Sequence, residues 1–190
     1  MRIIVGSNVS YWCHSIGHFD TIMSYILGLQ LLGHEVYTFD DVPPEQCFDI
    51  GYNSVKFEEW KGIYYFEPLA KSYRIWPRCC LIYNYGENTY GMSFSDAVEV
   101  AKTSDLLLNI SGHLKTPEII ENVCCRVFID QVPAKTPLYY TEYTIDQGFN
   151  QYEHFFAVGL TIGTPQCDIP TRESTLVSSC PSFCHIEPRR

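Results

Sequence analysis

The sequence predicts an α/β protein, a Rossmann-like doubly wound and mainly parallel sheet with helices on both faces. Three observations carry this. Short runs rich in Ile, Val and Leu recur at Arg2 to Gly6, Asp105 to Ile110 and Arg126 to Asp130. They lack the alternation of a half-exposed strand, as strands buried on both faces do. Helix-period stretches with start and stop signals lie between such runs, and that order argues for a covered parallel sheet.

The elements follow in chain order. Arg2 to Gly6 is a buried strand ended by Gly6. From His18, residues Phe19, Ile22, Met23, Ile26 and Leu27 keep the i, i+3, i+4 spacing of an amphipathic helix, with Asp20 expected in its first turn and Gly33 as the left-handed stop. Glu35 to Phe39 is the second strand, with Asp40-Asp41 and the Pro43-Pro44 breaker after it. This is one right-handed βαβ unit. Residues 42–68 have no clear period and predict loops with short turns such as Ser54 to Trp60. A helix from Pro68 to Trp76, ended by Pro77, and a strand over Leu81 to Tyr85 follow, then a turn at Gly86-Glu87-Asn88. Ser93 or Ser95 caps a helix carrying Ala97, Val98, Val100 and Ala101. Ser111-Gly112-His113 ends the strand Asp105 to Ile110, and Thr116-Pro117 opens a helix to Asn122. Beyond Arg126 to Asp130, the sequence predicts a helix within Tyr139 to Tyr152, a strand over His154 to Gly159, and no element from Ile169 onward. The expected organisation is one domain over 1–170 and a poorly ordered tail over 171–190.

Composition narrows the function. The 190 residues are 46% apolar and 15% aromatic, enough for one sizeable core, and carry a formal net charge of −9. With no Lys/Arg cluster beyond Arg189-Arg190, phosphate-backbone binding is excluded, so no nucleic-acid partner is expected. No apolar stretch is long enough for a transmembrane segment, and the strand-like start predicts a cytoplasmic protein. The nine cysteines are irregularly spaced and contain no CxxC pair, so they read as small buried hydrophobes and no metal site is expected. Cys180, Cys184 and His185 are the best remaining metal-type spacing and are not taken as a site.

In open α/β sheets ligands bind beyond the carboxyl ends of the strands, near helix N-termini. The residues so placed are the Gly6 to His18 loop, Asp40-Asp41, Ser111-Gly112-His113 and Asp130-Gln131. GxGxxG and Walker A patterns are absent, against dinucleotide and P-loop binding. Tyr11 and Trp12 read either as a lip for an organic acceptor or as packing residues. His18 is the candidate base, since an imidazole at a helix N-terminus is kept neutral and able to accept a proton; it also reads simply as a residue of the first turn. His113 reads as a substrate contact or a loop residue.

The stretch GHFDTIMSYILGLQLLGHEV resembles the opening helix of GT-B glycosyltransferases of the UDP-glycosyltransferase type, with a Gly17-His18 pair at its start and Gly33-His34 at its close. YGMSFSDAVEVAKTSDLLLNISGH, RVFIDQVPA and GTPQCDIPT are similar to poorly characterised bacterial glycosyltransferase-like proteins. The resemblance implies that the chain is one half of a GT-B fold, the N-terminal acceptor side. It implies metal-independent transfer of a sugar from a nucleotide-sugar donor substrate to an acceptor hydroxyl, without a cofactor. His18 takes the place of the catalytic base, and Gly17, Tyr11, Trp12, Ser111, Gly112, His113 and Asp130 are substrate-binding. Where relatives orient the base with an aspartate, this chain has Asn109 and Ser111. The partners expected are a small-molecule or glycan acceptor and a separate donor-domain chain, because the C-terminal donor domain is absent from the sequence. An incomplete chain of this kind is expected to be inactive alone; the alternatives are a non-catalytic truncated product, a binding subunit, or an epimerase-like α/β enzyme.

Overall fold

The structure, a computed structural model, describes residues 1–12, 16–132, 148–159, 165 and 176–179. Its sheet comprises β1 (Arg2–Ser7), β2 (Glu35–Val42), β3 (Cys79–Tyr83), β4 (Asn88–Gly91), β5 (Leu106–Ile110), β6 (Arg126–Asp130), β7 (His154–Val158) and β8 (Leu176–Ser179). These eight strands lie in the order β4-β3-β2-β1-β5-β6-β7-β8. Every neighbouring pair is parallel except the antiparallel β3–β4 hairpin. The helices are α1 (Ile16–Leu31), α2 (Lys61–Ser72), α3 (Phe94–Lys102) and the one-turn α4 (Pro117–Ile120). Strand order runs outward in both directions from β1, the doubly wound arrangement with its reversal between β1 and β5.

Two hydrophobic clusters cover the two faces. Phe19, Ile22 and Ile26 of α1 and Phe66 and Ala70 of α2 pack with Val5, Val36 and Leu81. On the other face Ala97 and Ala101 of α3 and Ile119 and Ile120 of α4 pack with Ile4, Phe39 and Leu107. Neighbouring Ile4 and Val5 thus serve opposite faces, which is why the strand reads as a continuous apolar run.

Several boundaries differ from the sequence reading. Helix α1 begins at Ile16, so Asp20 falls outside its first turn. The end is as expected: Gly33 has φ 82°, its N–H donates to Gln30 O and the His34 N–H donates to Leu29 O at 3.1 Å, a Schellman closure. Asp40 and Asp41 lie inside β2 rather than after it, with Asp40 in register with Ser7. Helix α2 covers 61–72, not 68–76, and holds Pro68 in its interior. The carbonyl that Pro68 leaves without its N–H belongs to Tyr64, a residue 74% exposed; burial of Phe66 and Ala70 decides the helix. Ser93 caps α3, its Oγ accepting from the Asp96 N–H at 3.1 Å. Strand β4 was not expected, and β8 is a strand where the sequence predicted none; the remainder of 171–190 lies outside the described residues. Of the helix expected within 139–152, only a 3-10 turn at Phe149–Gln151 falls within them. Among the described residues no helix is long and apolar enough to cross a membrane.

Candidate functional site

The loop after β5 organises the carboxyl edge of the sheet. Ser111 and Gly112 adopt φ 52° and 66°, and the His113 N–H donates to Ile110 O at 3.2 Å, a turn whose two central residues are both left-handed. Gly112 is buried and Ser111 half-buried, so this pair shapes the turn. Buried Asn109 then holds the returning chain: its Nδ2 donates to Leu114 O at 2.7 Å and to the Tyr152 hydroxyl at 2.6 Å, and its Oδ1 accepts from the Leu114 N–H at 3.1 Å. Asp41 completes the anchorage. Its Oδ2 accepts from the N–H groups of Lys115 at 2.5 Å and Thr116 at 2.8 Å, and its Oδ1 from Thr116 Oγ1 at 2.6 Å.

The loop therefore crosses β1 and reaches β2. It passes so close to Gly6 that a Cβ there would sit 2.8 Å from the Leu114 Cβ. Leu114, 1% exposed, covers the end of β1 beside the strand-order reversal where a dinucleotide would lie. The acid that would hold a ribose is also engaged: Asp40 is fully buried, accepts from Ser7 Oγ and accepts from the Ser10 N–H at 2.7 Å. Burial raises the carboxyls of both acids, Asp41 to about 6, against the pull of the hydrogen bonds they accept.

His18 is the third residue of α1 and half-buried. Its Nε2 lies 3.3 Å from Asn8 Oδ1. An amide oxygen only accepts, so in this arrangement Nε2 donates and the lone pair resides on Nδ1. Burial lowers the imidazole below its ordinary pKa, in the same direction as the helix N-terminus. The ring stands 5.0 Å from that of Trp12, which in turn meets Tyr11 edge-on at 5.0 Å. Gly17 is exposed, and among the described residues nothing lies within 4 Å of a Cβ placed on it. The sequence names no orienting partner for His18: Asn109, which stands with Ser111 where the resemblance would place an aspartate, is committed to the loop, and the residue found beside His18 is Asn8, which sequence reasoning missed. Its signal was an amide side chain just past a buried strand.

Asn8 also lines a cavity of about 160 Å³ with Asp41, Glu45, Tyr85, His113 and Lys115. Asn8 thus both contacts His18 and shares a cavity wall with His113. Asn84 and Tyr85 on its wall are left-handed, with φ 43° and 58°, and such strain collects at functional sites. The volume is below the roughly 300–1,000 Å³ of drug-sized ligand pockets, so it takes a small polar fragment rather than a whole nucleotide sugar. Asp130 stands farther along the edge, at the end of β6, 7% exposed and accepting from the Val132 N–H at 2.9 Å. Among the described residues no group of three His, Cys, Asp or Glu side chains could hold a metal ion; Cys180, Cys184 and His185 lie outside them.

Fold and edge geometry define a Rossmann-like α/β domain with a half-buried histidine in the first turn of its first helix. No protein-family model matches the chain, and a search of curated proteins likewise finds no match.

Proposed function

We propose that the chain is the acceptor-side half of a GT-B glycosyltransferase, with His18 as the base that deprotonates an acceptor hydroxyl for attack on the anomeric carbon of a nucleotide sugar. The observation that carries this reading is the half-buried imidazole in the first turn of α1, its pKa lowered by burial. Such a group is unprotonated at neutral pH and so is free to accept a proton. The small cavity beside Asn8 and His113 suits the reacting hydroxyl and its neighbours, while the nucleotide sugar is held by a donor domain. Ser111 and Gly112 act through the turn that presents His113. No cofactor takes part.

The reading is tested with the protein purified from its own cells, so that a donor-domain partner accompanies it, using radiolabelled UDP-sugars and mixed acceptors. His18→Ala is expected to lose transfer by roughly 10²–10⁴-fold with acceptor affinity retained. Undiminished transfer overturns it.

A second reading, a non-catalytic binding module, is favoured by one observation: the imidazole faces the neutral amide of Asn8 rather than a carboxylate that would stabilise its protonated form. Asn8→Asp separates the two, since a carboxylate at this position should increase transfer by a catalytic His18 and leave a binding module unchanged.

A further inference from the structure

We propose that a groove next to the candidate base seats a neutral oligosaccharide, held on a track of aromatic rings that runs from His18 to the tip of the hairpin over residues 47–55. In taking this ligand as the acceptor, the proposal rests on the glycosyl-transfer reading; the groove itself does not depend on it.

The hairpin is built to be rigid. The Val55 N–H donates to Cys47 O at 3.0 Å and the Asp49 N–H to Asn53 O at 2.9 Å. Inside the turn the Asp49 carboxylate accepts from the N–H groups of Gly51 at 2.7 Å and Asn53 at 2.9 Å. Yet the tip turns Ile50 and Tyr52 outward, 79% and 83% exposed, and Tyr52 does so with φ 62°, a conformation that costs a bulky residue free energy. Apart from its stack on Phe48, the Tyr52 ring gains little from folding in this strained, exposed tip. A bound ligand supplies that gain.

The rings form a continuous series. Beyond His18, Trp12 and Tyr11, the Tyr11 ring meets Phe48 at 6.3 Å, and Phe48 stacks on Tyr52 at 5.6 Å with 29° between the planes. Trp60, Lys61 and Tyr65, at the start of α2, line the groove together with Tyr11, Phe48 and Tyr52. The space between is about 390 Å³ and open along one side, within the size range of small-molecule sites.

The chemistry selects the ligand class. A pyranose has an apolar C–H face that lies on an aromatic ring and a belt of hydroxyls for the tyrosine hydroxyls and Lys61. An open groove leaves the other hydroxyls in water, whereas a flat apolar aglycone gains most from enclosure. Rings in series suit a chain of sugars rather than one. The net charge of −9, with Glu58 and Glu59 beside Trp60, disfavours acidic glycans.

The test is a neutral-glycan array probed with the intact 190-residue chain, followed by calorimetry with the strongest oligosaccharide, its monosaccharide, and the flat aglycones 1-naphthol and quercetin. An oligosaccharide is expected to bind more tightly than its monosaccharide. Tyr52→Ala and Phe48→Ala are expected to weaken it roughly tenfold or more, while Tyr64→Ala, outside the groove, leaves it unchanged. Tyr52 is exposed, so its variant folds; Phe48→Ala is read only where circular dichroism matches wild type. The proposal is overturned if no neutral glycan binds, if binding is indifferent to Tyr52→Ala, or if only the flat aglycones bind. Glycan binding in the groove with transfer undiminished in His18→Ala sinks the glycosyl-transfer reading alone. Transfer that needs His18 but proceeds equally in Tyr52→Ala sinks the groove alone.

Discussion

Asp41→Asn isolates the energetics of the loop that closes the sheet edge. Burial raises this carboxyl from an ordinary 3.8 to about 6, so between these values the native state holds a proton that the unfolded chain has released. Its contribution to stability is therefore greatest below about pH 4, falls as pH rises through about 4 to 6, and is flat above. The size of the fall is about 3 kcal/mol. Asparagine keeps the shape: its oxygen accepts from the N–H groups of Lys115 and Thr116, and its amide nitrogen donates to Thr116 Oγ1. It carries no charge to desolvate. Asp40, raised in the same direction, is present in both proteins and drops out of the difference to first order. Urea unfolding of wild type and variant at about pH 3, 5 and 7 measures the effect. Relative to wild type, the variant should gain about 3 kcal/mol from pH 3 to pH 7. A difference that is constant with pH refutes the reasoning. A difference that moves toward wild type as pH rises also refutes it, because the three hydrogen bonds to Asp41 would then outweigh its burial.

Other outcomes follow from the same loop and core. Gly6→Ala forces its Cβ against Leu114 at 2.8 Å and Asn109 Oδ1 at 3.1 Å, and should cost about 1–3 kcal/mol in urea unfolding. Tyr152→Phe removes one of the two acceptors of Asn109 Nδ2 and should cost about 1 kcal/mol by the same measurement, the Leu114 carbonyl remaining bonded. Burial raises the thiols of Cys47 to about 11 and Cys79 to about 12, and that of Cys80 upward too. In peptide mapping after native labelling, exposed Cys124 should therefore react well before these three.

The first βαβ unit was legible because its signals agree: an apolar run, a helical period and a glycine stop all point to the same boundaries. The same holds for β5, β6 and β7. Helix α2 differs from the expected 68–76 because Pro68 lies in its interior, where the packing of Phe66 and Ala70 carries the helix through it. Strand β4, with the sequence NTYG, is short and polar at a sheet edge and has no period to detect. The cysteine reading holds for Cys47, Cys79 and Cys80 but not for exposed Cys124, since a doublet between helix and strand need not be covered. At the site, His18 and His113 were legible as residues at strand and helix ends. The pairing of Asn8 with His18, of Asp41 with Thr116 and of Asn109 with Tyr152 was not, because each joins segments whose proximity only the folded sheet creates. The ring track was hidden for the same reason: Tyr11 and Phe48 meet across 37 residues of sequence.

The central claim, that His18 is a base held neutral at the start of α1, is tested most directly by the pH dependence of sugar transfer in wild type and His18→Ala. The wild-type rate should be level near neutrality and fall only below the ordinary imidazole pKa of about 6.5, in step with the titration of the His18 ring followed by NMR. His18→Ala should lose both the rate and that acid limb. A His18 that titrates above 6.5, or a variant that transfers sugar with the wild-type profile, would contradict the account.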